Sequence, residues 1–174
     1  MIEAEQMEIA RAAVSNVTNG RPILELKPFL HKKTGIITTG NEVFYGRIKD
    51  TFTPVIIEKL QEYGSEVIDH VIWNDDDTKV TASILEMIEQ GADIVICTGG
   101  MSVDPDDTTP LAIKNTGAEI ISYGAPVLPG AMFLLAYCEA CVNGVKRTVT
   151  IMGLPGCVMY AKKTIFDIIL PRVM

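Results

Sequence analysis

The sequence predicts an α/β domain, a mixed and mostly parallel sheet with helices on both faces. Three observations predict it. Apolar runs at Lys33–Thr38, Glu66–Ile72 and Ile94–Cys97 are separated by amphipathic helical stretches. That is a βαβαβ unit, and right-handed crossovers bring its three strand-end loops to one sheet edge. Two later apolar runs, Met132–Cys138 and Lys146–Met152, are joined at Asn143-Gly144, a strong hairpin signal. The 174 residues are 48% apolar, and a chain of this length buries roughly 70% of its unfolded surface without disulfide or metal staples.

The elements follow in order. Ile2 to Val17 reads as a helix whose apolar face holds Ile9, Ala10, Ala13 and Val14, with Gly20 as its left-handed cap. Pro22 to Phe29 reads as an extended arm with prolines near both ends. Residues 1–31 therefore read as an appendage, the tail of a preceding domain, and residues 32–174 as the compact domain. After the first strand, Phe52, Val55, Ile56 and Leu60 recur at helical spacing, with Gly64 as the stop. Thr78 to Gln90 places Val80, Ile84, Met87 and Ile88 on one face. A short helix near Pro110–Asn115, a strand at Glu119–Tyr123, the hairpin and a last helix from Met159 to Leu170, closed by Pro171, complete the chain.

Charge excludes several functions. A formal charge of −7 and an isoelectric point near 4.8, with no basic cluster, argue against a nucleic-acid surface. The most apolar stretch, Val127 to Val142, is broken by Pro129, Gly130 and Glu139 and is too short to span a bilayer. The start lacks a basic region before an apolar one, so the expectation is a soluble, cytoplasmic protein. Cys138 and Cys141 form one C-x-x-C pair, but no second pair or nearby histidine completes a zinc set. Reduced thiols are expected.

The chain is organised around Asp93 to Pro110. The apolar strand breaks at Thr98-Gly99-Gly100, where paired glycines free the backbone to turn and let a ligand approach closely. Asp104, Asp106 and Asp107 follow, then Thr108 and Thr109. Such a loop lies at the carboxyl end of a parallel strand, where open α/β sheets bind ligands. The alternative is an ordinary turn whose aspartates cap a helix. The clustering behind two glycines favours a site; Asp76 and Asp77 read as caps. Glu42, Asp50, Asp75, Asp76, Asp106 and Asp107 are placed on loops at that edge, beside glycine-turn amides suited to phosphate. Carboxylates and an anionic ligand repel unless a hard cation such as Mg²⁺ stands between them. A metal-bridged phosphorylated ligand is the economical reading. No dinucleotide fingerprint, P-loop or nucleophile elbow occurs.

Thr39-Gly40-Asn41-Glu42, Asp75-Asp76, Thr98-Gly99-Gly100-Met101-Ser102-Val103 with Asp106-Asp107-Thr108, Pro129-Gly130 and Gly153-Leu154-Pro155-Gly156 occur in that order. The chain from about Lys33 to Arg172 thereby resembles the molybdopterin-binding domain shared by molybdopterin adenylyltransferase, molybdopterin molybdenumtransferase and gephyrin. It looks closest to a clostridial-type group in which this domain forms the carboxyl half of a longer chain. The resemblance implies a three-layer α/β/α sandwich, a dimer or trimer, and molybdopterin bound over the carboxyl edge of the sheet by those loops. It implies that Asp75 and Asp107 are catalytic and hold Mg²⁺, and that Glu42 is the acid of the first loop.

Two departures stand out. The molybdenumtransferase carries lysines flanking its Pro-Gly, whereas Leu128 precedes Pro129 here and Ala131-Met132 follow Gly130. Its Gly-Leu-Pro-Gly continues into Asn-Pro, here Cys157-Val158. Less charge compensation remains for a dianion or molybdate, which bears on metal insertion. Three readings follow from the resemblance: a molybdenum-cofactor enzyme domain, a non-catalytic module that senses or carries the cofactor, and a nucleotide hydrolase of the competence-damage type.

Overall fold

A computed structural model describes residues 3–19, 21, 24–102 and 107–174. The elements are α1 (Ala4–Thr18), β1 (Lys33–Thr39), α2 (Asn41–Phe44), α3 (Phe52–Gln61), β2 (Glu66–Trp73), α4 (Asp77–Glu89), β3 (Ile94–Thr98), α5 (Thr109–Asn115), β4 (Glu119–Tyr123), β5 (Leu134–Val142), β6 (Val145–Leu154), a 3₁₀ turn (Gly156–Met159) and α6 (Ile165–Val173). The strands form one six-stranded sheet in the order β2-β1-β3-β6-β5-β4. β2, β1, β3 and β6 pair in parallel, while β5 runs antiparallel to both neighbours. This is the expected mixed sheet. Both turn residues of the hairpin, Asn143 at φ 53° and Gly144 at φ 78°, are left-handed, the backbone that a two-residue turn between twisted strands requires.

Strand alternation builds two cores. On β3, Ile94 and Ile96 pack with Ile56 and Leu60 of α3 and Phe166 and Leu170 of α6. Val95 and Cys97 turn the other way, onto Val80, Ile84 and Met87 of α4 and Ala112 and Ile113 of α5. Period-two alternation demands helices on both faces once a strand is apolar throughout. Burial alone pushes the Cys97 thiol up to about 12. Cys138 is buried and Cys141 exposed; three apart on one strand, they face opposite sides and cannot share a bond or a metal.

Three local expectations need correction. The last helix does not run from Met159. A 3₁₀ turn ends there, and α6 begins after Thr164, whose hydroxyl and Asp167 carboxylate form a capping box. The Thr164-x-x-Asp167 spacing is the signal that marks this start. Pro171 lies inside α6 rather than closing it, removing one backbone donor from the helix. The strand placed at Met132–Cys138 starts and ends later, at Leu134–Val142. The expected cap Gly20 lies outside the described residues, and the left-handed residue ending α1 is Asn19. α1 buries none of its residues. The arm after it docks through a Phe29–Tyr63 ring contact at 4.9 Å and through Leu30 N–H donating to the Met174 carbonyl at 2.9 Å.

Candidate functional site

Because β1 pairs β2 on one side and β3 on the other, the loops after these three strands meet at one edge. They enclose a cleft of about 390 Å³ lined by Thr39, Gly40, Asn41, Glu42, Val43, Ile48, Phe52, Asp75, Gly100 and Asp107. Glu42, Asp75 and Asp107 contribute carboxylates, and none of the lining residues is basic. Gly40 adopts φ 140°, and a Cβ built there would meet nothing within 4 Å, so bare backbone faces open space.

The loops are fastened to one another in two ways. Thr39 joins β1 to the glycine loop. Its hydroxyl lies 3.3 Å from the Thr98 carbonyl and 3.3 Å from Thr109 Oγ1, and Thr109 Oγ1 donates to the Gly99 carbonyl at 2.9 Å. Gly99 (φ 86°) presses so closely that an added Cβ would overlap the Thr39 carbonyl oxygen. Only glycine fits a left-handed residue in such contact. On the other side, Gly40 N–H donates to the Trp73 carbonyl at 3.1 Å, and Asn41 Nδ2 donates to Asp75 Oδ2 at 2.7 Å.

Asp107 does not cap α5; Thr108 occupies that position, without a side-chain cap bond. The Asp107 carboxylate instead accepts the Ser102 backbone N–H and so closes the glycine loop. Tyr123, at the end of edge strand β4, donates its hydroxyl to the Ser102 carbonyl at 3.3 Å. Burial and then the nearby negative charge of Asp107 push the Tyr123 phenol up. Sequence reading missed Tyr123, because no local pattern marks a residue 21 positions from its partner. In the fold, His70 Nε2 lies 2.9 Å from Thr53 Oγ1 and 3.5 Å from Asp50 Oδ2.

The remaining expected site residues fall at different depths. Asp50 accepts the Phe52 and Thr53 amides at 2.9 and 3.1 Å and so caps α3. Asp76 accepts the Lys79 amide and caps α4. Thr98 is fully buried, and its hydroxyl, that of Thr108 and the Asn74 carbonyl oxygen have no partner among the described residues. Met101 is buried beside Gly153, whereas Ser102 is exposed. Gly130, after a cis Leu128–Pro129 bond, packs against Ile165. Leu154 and Pro155 are buried, while Gly156 is exposed, and a Cβ there would lie 3.7 Å from the Phe52 ring. Asp104 and Asp106 lie outside the described residues. Among those described, no group of three or more His, Cys, Asp or Glu side chains is arranged to hold a metal ion unaided. Among the described residues no helix is long and apolar enough to cross a membrane.

Comparison with known proteins agrees with this geometry. Residues 35–174 match the family model described as "Probable molybdopterin binding domain". The molybdopterin adenylyltransferase of Pyrococcus furiosus is 31% identical over 148 residues, covering 81% of this chain and 86% of that protein. A CinA-like protein of Mycobacterium tuberculosis is 33% identical over 90 residues, which span 51% of this chain and only 21% of the relative. The crystal structure of the tungsten cofactor synthesizing protein MoaB from Pyrococcus furiosus superposes with a TM-score of 0.65 at 27% identity, covering 82% of this chain and 92% of that one. CinA from Thermoplasma acidophilum, at 19% identity and a TM-score of 0.62, shares the fold. With the family model matched from within β1 to the end of the chain, through every loop of the cleft, this chain belongs to the molybdopterin-binding domain family.

Proposed function

We propose that the cleft binds molybdopterin, or its adenylylated form, in molybdenum-cofactor biosynthesis or handling, with Mg²⁺ between the loop aspartates and the ligand's phosphate. One observation carries this reading: among the described residues, three carboxylates and no basic side chain line the cleft. A phosphorylated pterin entering it meets like charge, and a hard cation resolves the conflict. The donor set fits. Mg²⁺ favours oxygen, keeps several waters, and is typically held by one or two carboxylates plus substrate phosphate. Asp75 and Asp107 would supply the carboxylates, and Gly40 leaves room for the phosphate.

When bound, the cation would neutralise charge on the phosphate. Asp75 and Asp107 would orient it, Glu42 would hold the ligand's amino or hydroxyl groups, and Phe52 would give the cleft an apolar wall. The lack of basic groups favours binding or adenylyl handling over molybdate insertion, which would bring a further anion into the cleft. The same reading makes the protein a cytoplasmic homo-oligomer. Mass spectrometry of material that copurifies with the native protein tests the ligand. A pterin phosphate or its adenylate supports the reading. Mg²⁺-dependent hydrolysis of a nucleotide without any pterin bound would favour the CinA-like alternative.

A further inference from the structure

We infer that Asn41 is a positioning residue for Asp75, setting the carboxylate that meets the cation rather than contacting the ligand itself. This rests on the cation-bridged reading above and assigns Asn41 a role different from direct cofactor binding. The bond crosses 34 residues of sequence at 2.7 Å. An ionised carboxylate only accepts, so the amide nitrogen of Asn41 must face Asp75 and its carbonyl oxygen must point elsewhere. The orientation is dictated by chemistry.

Both ends of this strut are themselves held. Asn41 opens α2 directly after Gly40, whose N–H is tied to the Trp73 carbonyl at 3.1 Å. The Phe44 ring packs near Trp73, centroids 6.2 Å apart. The β1 and β2 loops are thus tied together at their bases, and the Asn41 amide reaches Asp75 from the tied end. Asp75 is exposed; without a partner its carboxylate would sample several rotamers. A neutral donor fixes the rotamer without adding charge to a cleft that already carries three carboxylates. A basic residue in its place would hold Asp75 too, but would repel the cation. Orienting partners of this kind typically govern roughly 10–100-fold in metal affinity.

The test is Mn²⁺ binding with ATP present as the phosphate-bearing probe, followed by water-proton relaxation enhancement of the protein-bound ion, to the full chain and to Asn41→Leu, Asp75→Asn and the double variant. Asn41→Leu should weaken Mn²⁺ binding roughly tenfold or more with the ligand-free melting temperature nearly unchanged, since both partners are exposed. In the double variant, binding should be no weaker than in Asp75→Asn alone, because Asn41 acts only through Asp75. Asn41→Ala gives the same readout should the leucine disturb folding. Additive losses in the double variant would overturn the inference, as would wild-type Mn²⁺ affinity in Asn41→Leu beside weakened binding in Asp75→Asn. Wild-type affinity in Asp75→Asn itself removes the cation reading and the role of Asn41 with it.

Discussion

The two junctions around β1 do the same job with opposite materials. Between β1 and β3, the fastening is buried: Thr39 and Thr109 are 3% and 0% exposed, and Gly99 allows backbone to touch backbone. Between β1 and β2, one backbone bond from Gly40 to Trp73 is joined by a side-chain contact on the surface, Asn41 to Asp75. A buried hydrogen bond or close contact is costly to break because nothing replaces it, whereas water replaces a surface one. The first junction therefore belongs to stability and the second, on the cation-bridged reading proposed above, to ligand geometry, although Thr39 and Asn41 are only two residues apart.

The largest effect should come from Gly99→Ala. The new methyl would collide with the Thr39 carbonyl and lie 2.8 Å from its hydroxyl, on a residue already at a positive φ. Left-handed strain of about 1–2 kcal/mol adds to overpacking of about 1–3 kcal/mol. The expected loss is about 3 kcal/mol in denaturant unfolding. An alanine tolerated within about 0.5 kcal/mol, the range of ordinary surface substitutions, would dissolve the contrast between the two junctions.

Thr39→Val should come next. The shape is kept, but the Thr98 carbonyl and Thr109 hydroxyl lose a buried partner, at a cost of about 1–2 kcal/mol. A loss no larger than that of Asn41→Leu would show that burial does not separate the junctions.

A smaller, pH-dependent effect marks a third fastening, between α3 and α6. Lys59 and Asp167 pair with both side chains 12% exposed. Burial raises the Asp167 carboxyl, but the Lys59 hydrogen bond, the Thr164 amide and the Lys59 charge together hold it below its ordinary value. A depressed folded-state value means that the stabilisation is present above the unfolded carboxyl's value near 4 and is lost as pH falls through the folded one. Melts between about pH 5 and pH 3 should fall more steeply for wild type than for Asp167→Asn. Parallel curves would show that the pair contributes nothing titratable.

What was legible in the sequence was local. Three apolar runs ending in glycine-bearing or polar loops, and the Asn143-Gly144 turn, carry their geometry within a few residues, so the mixed sheet with helices on both faces could be read directly. The loops of the cleft were also readable, because parallel strands deliver their ends to one edge. The fastenings between those loops were not. The Thr39–Gly99 contact, the Asn41–Asp75 bond and the reach of Tyr123 to Ser102 depend on how closely distant segments approach, which periodicity does not encode. Asp50 shows the reverse error: placed among the edge carboxylates, it is occupied with the first amides of α3. The start of α6 is legible in Thr164 and Asp167, whereas Pro171 reads as a stop and the helix carries it.

The central claim is that the cleft's carboxylates act on an anionic ligand through a cation. Thermal melts of wild type and Asp107→Asn, with ATP as the phosphate-bearing probe, with and without Mg²⁺, test it most directly. Asparagine retains an oxygen to accept the Ser102 amide and removes one negative charge from the cleft, so the ligand-free melting temperature should hold or rise slightly. The stabilisation by ATP should require Mg²⁺ in wild type and largely vanish in Asp107→Asn, because the cation loses a charged ligand. Stabilisation that survives intact in Asp107→Asn, or that is equally large without Mg²⁺, would contradict the account.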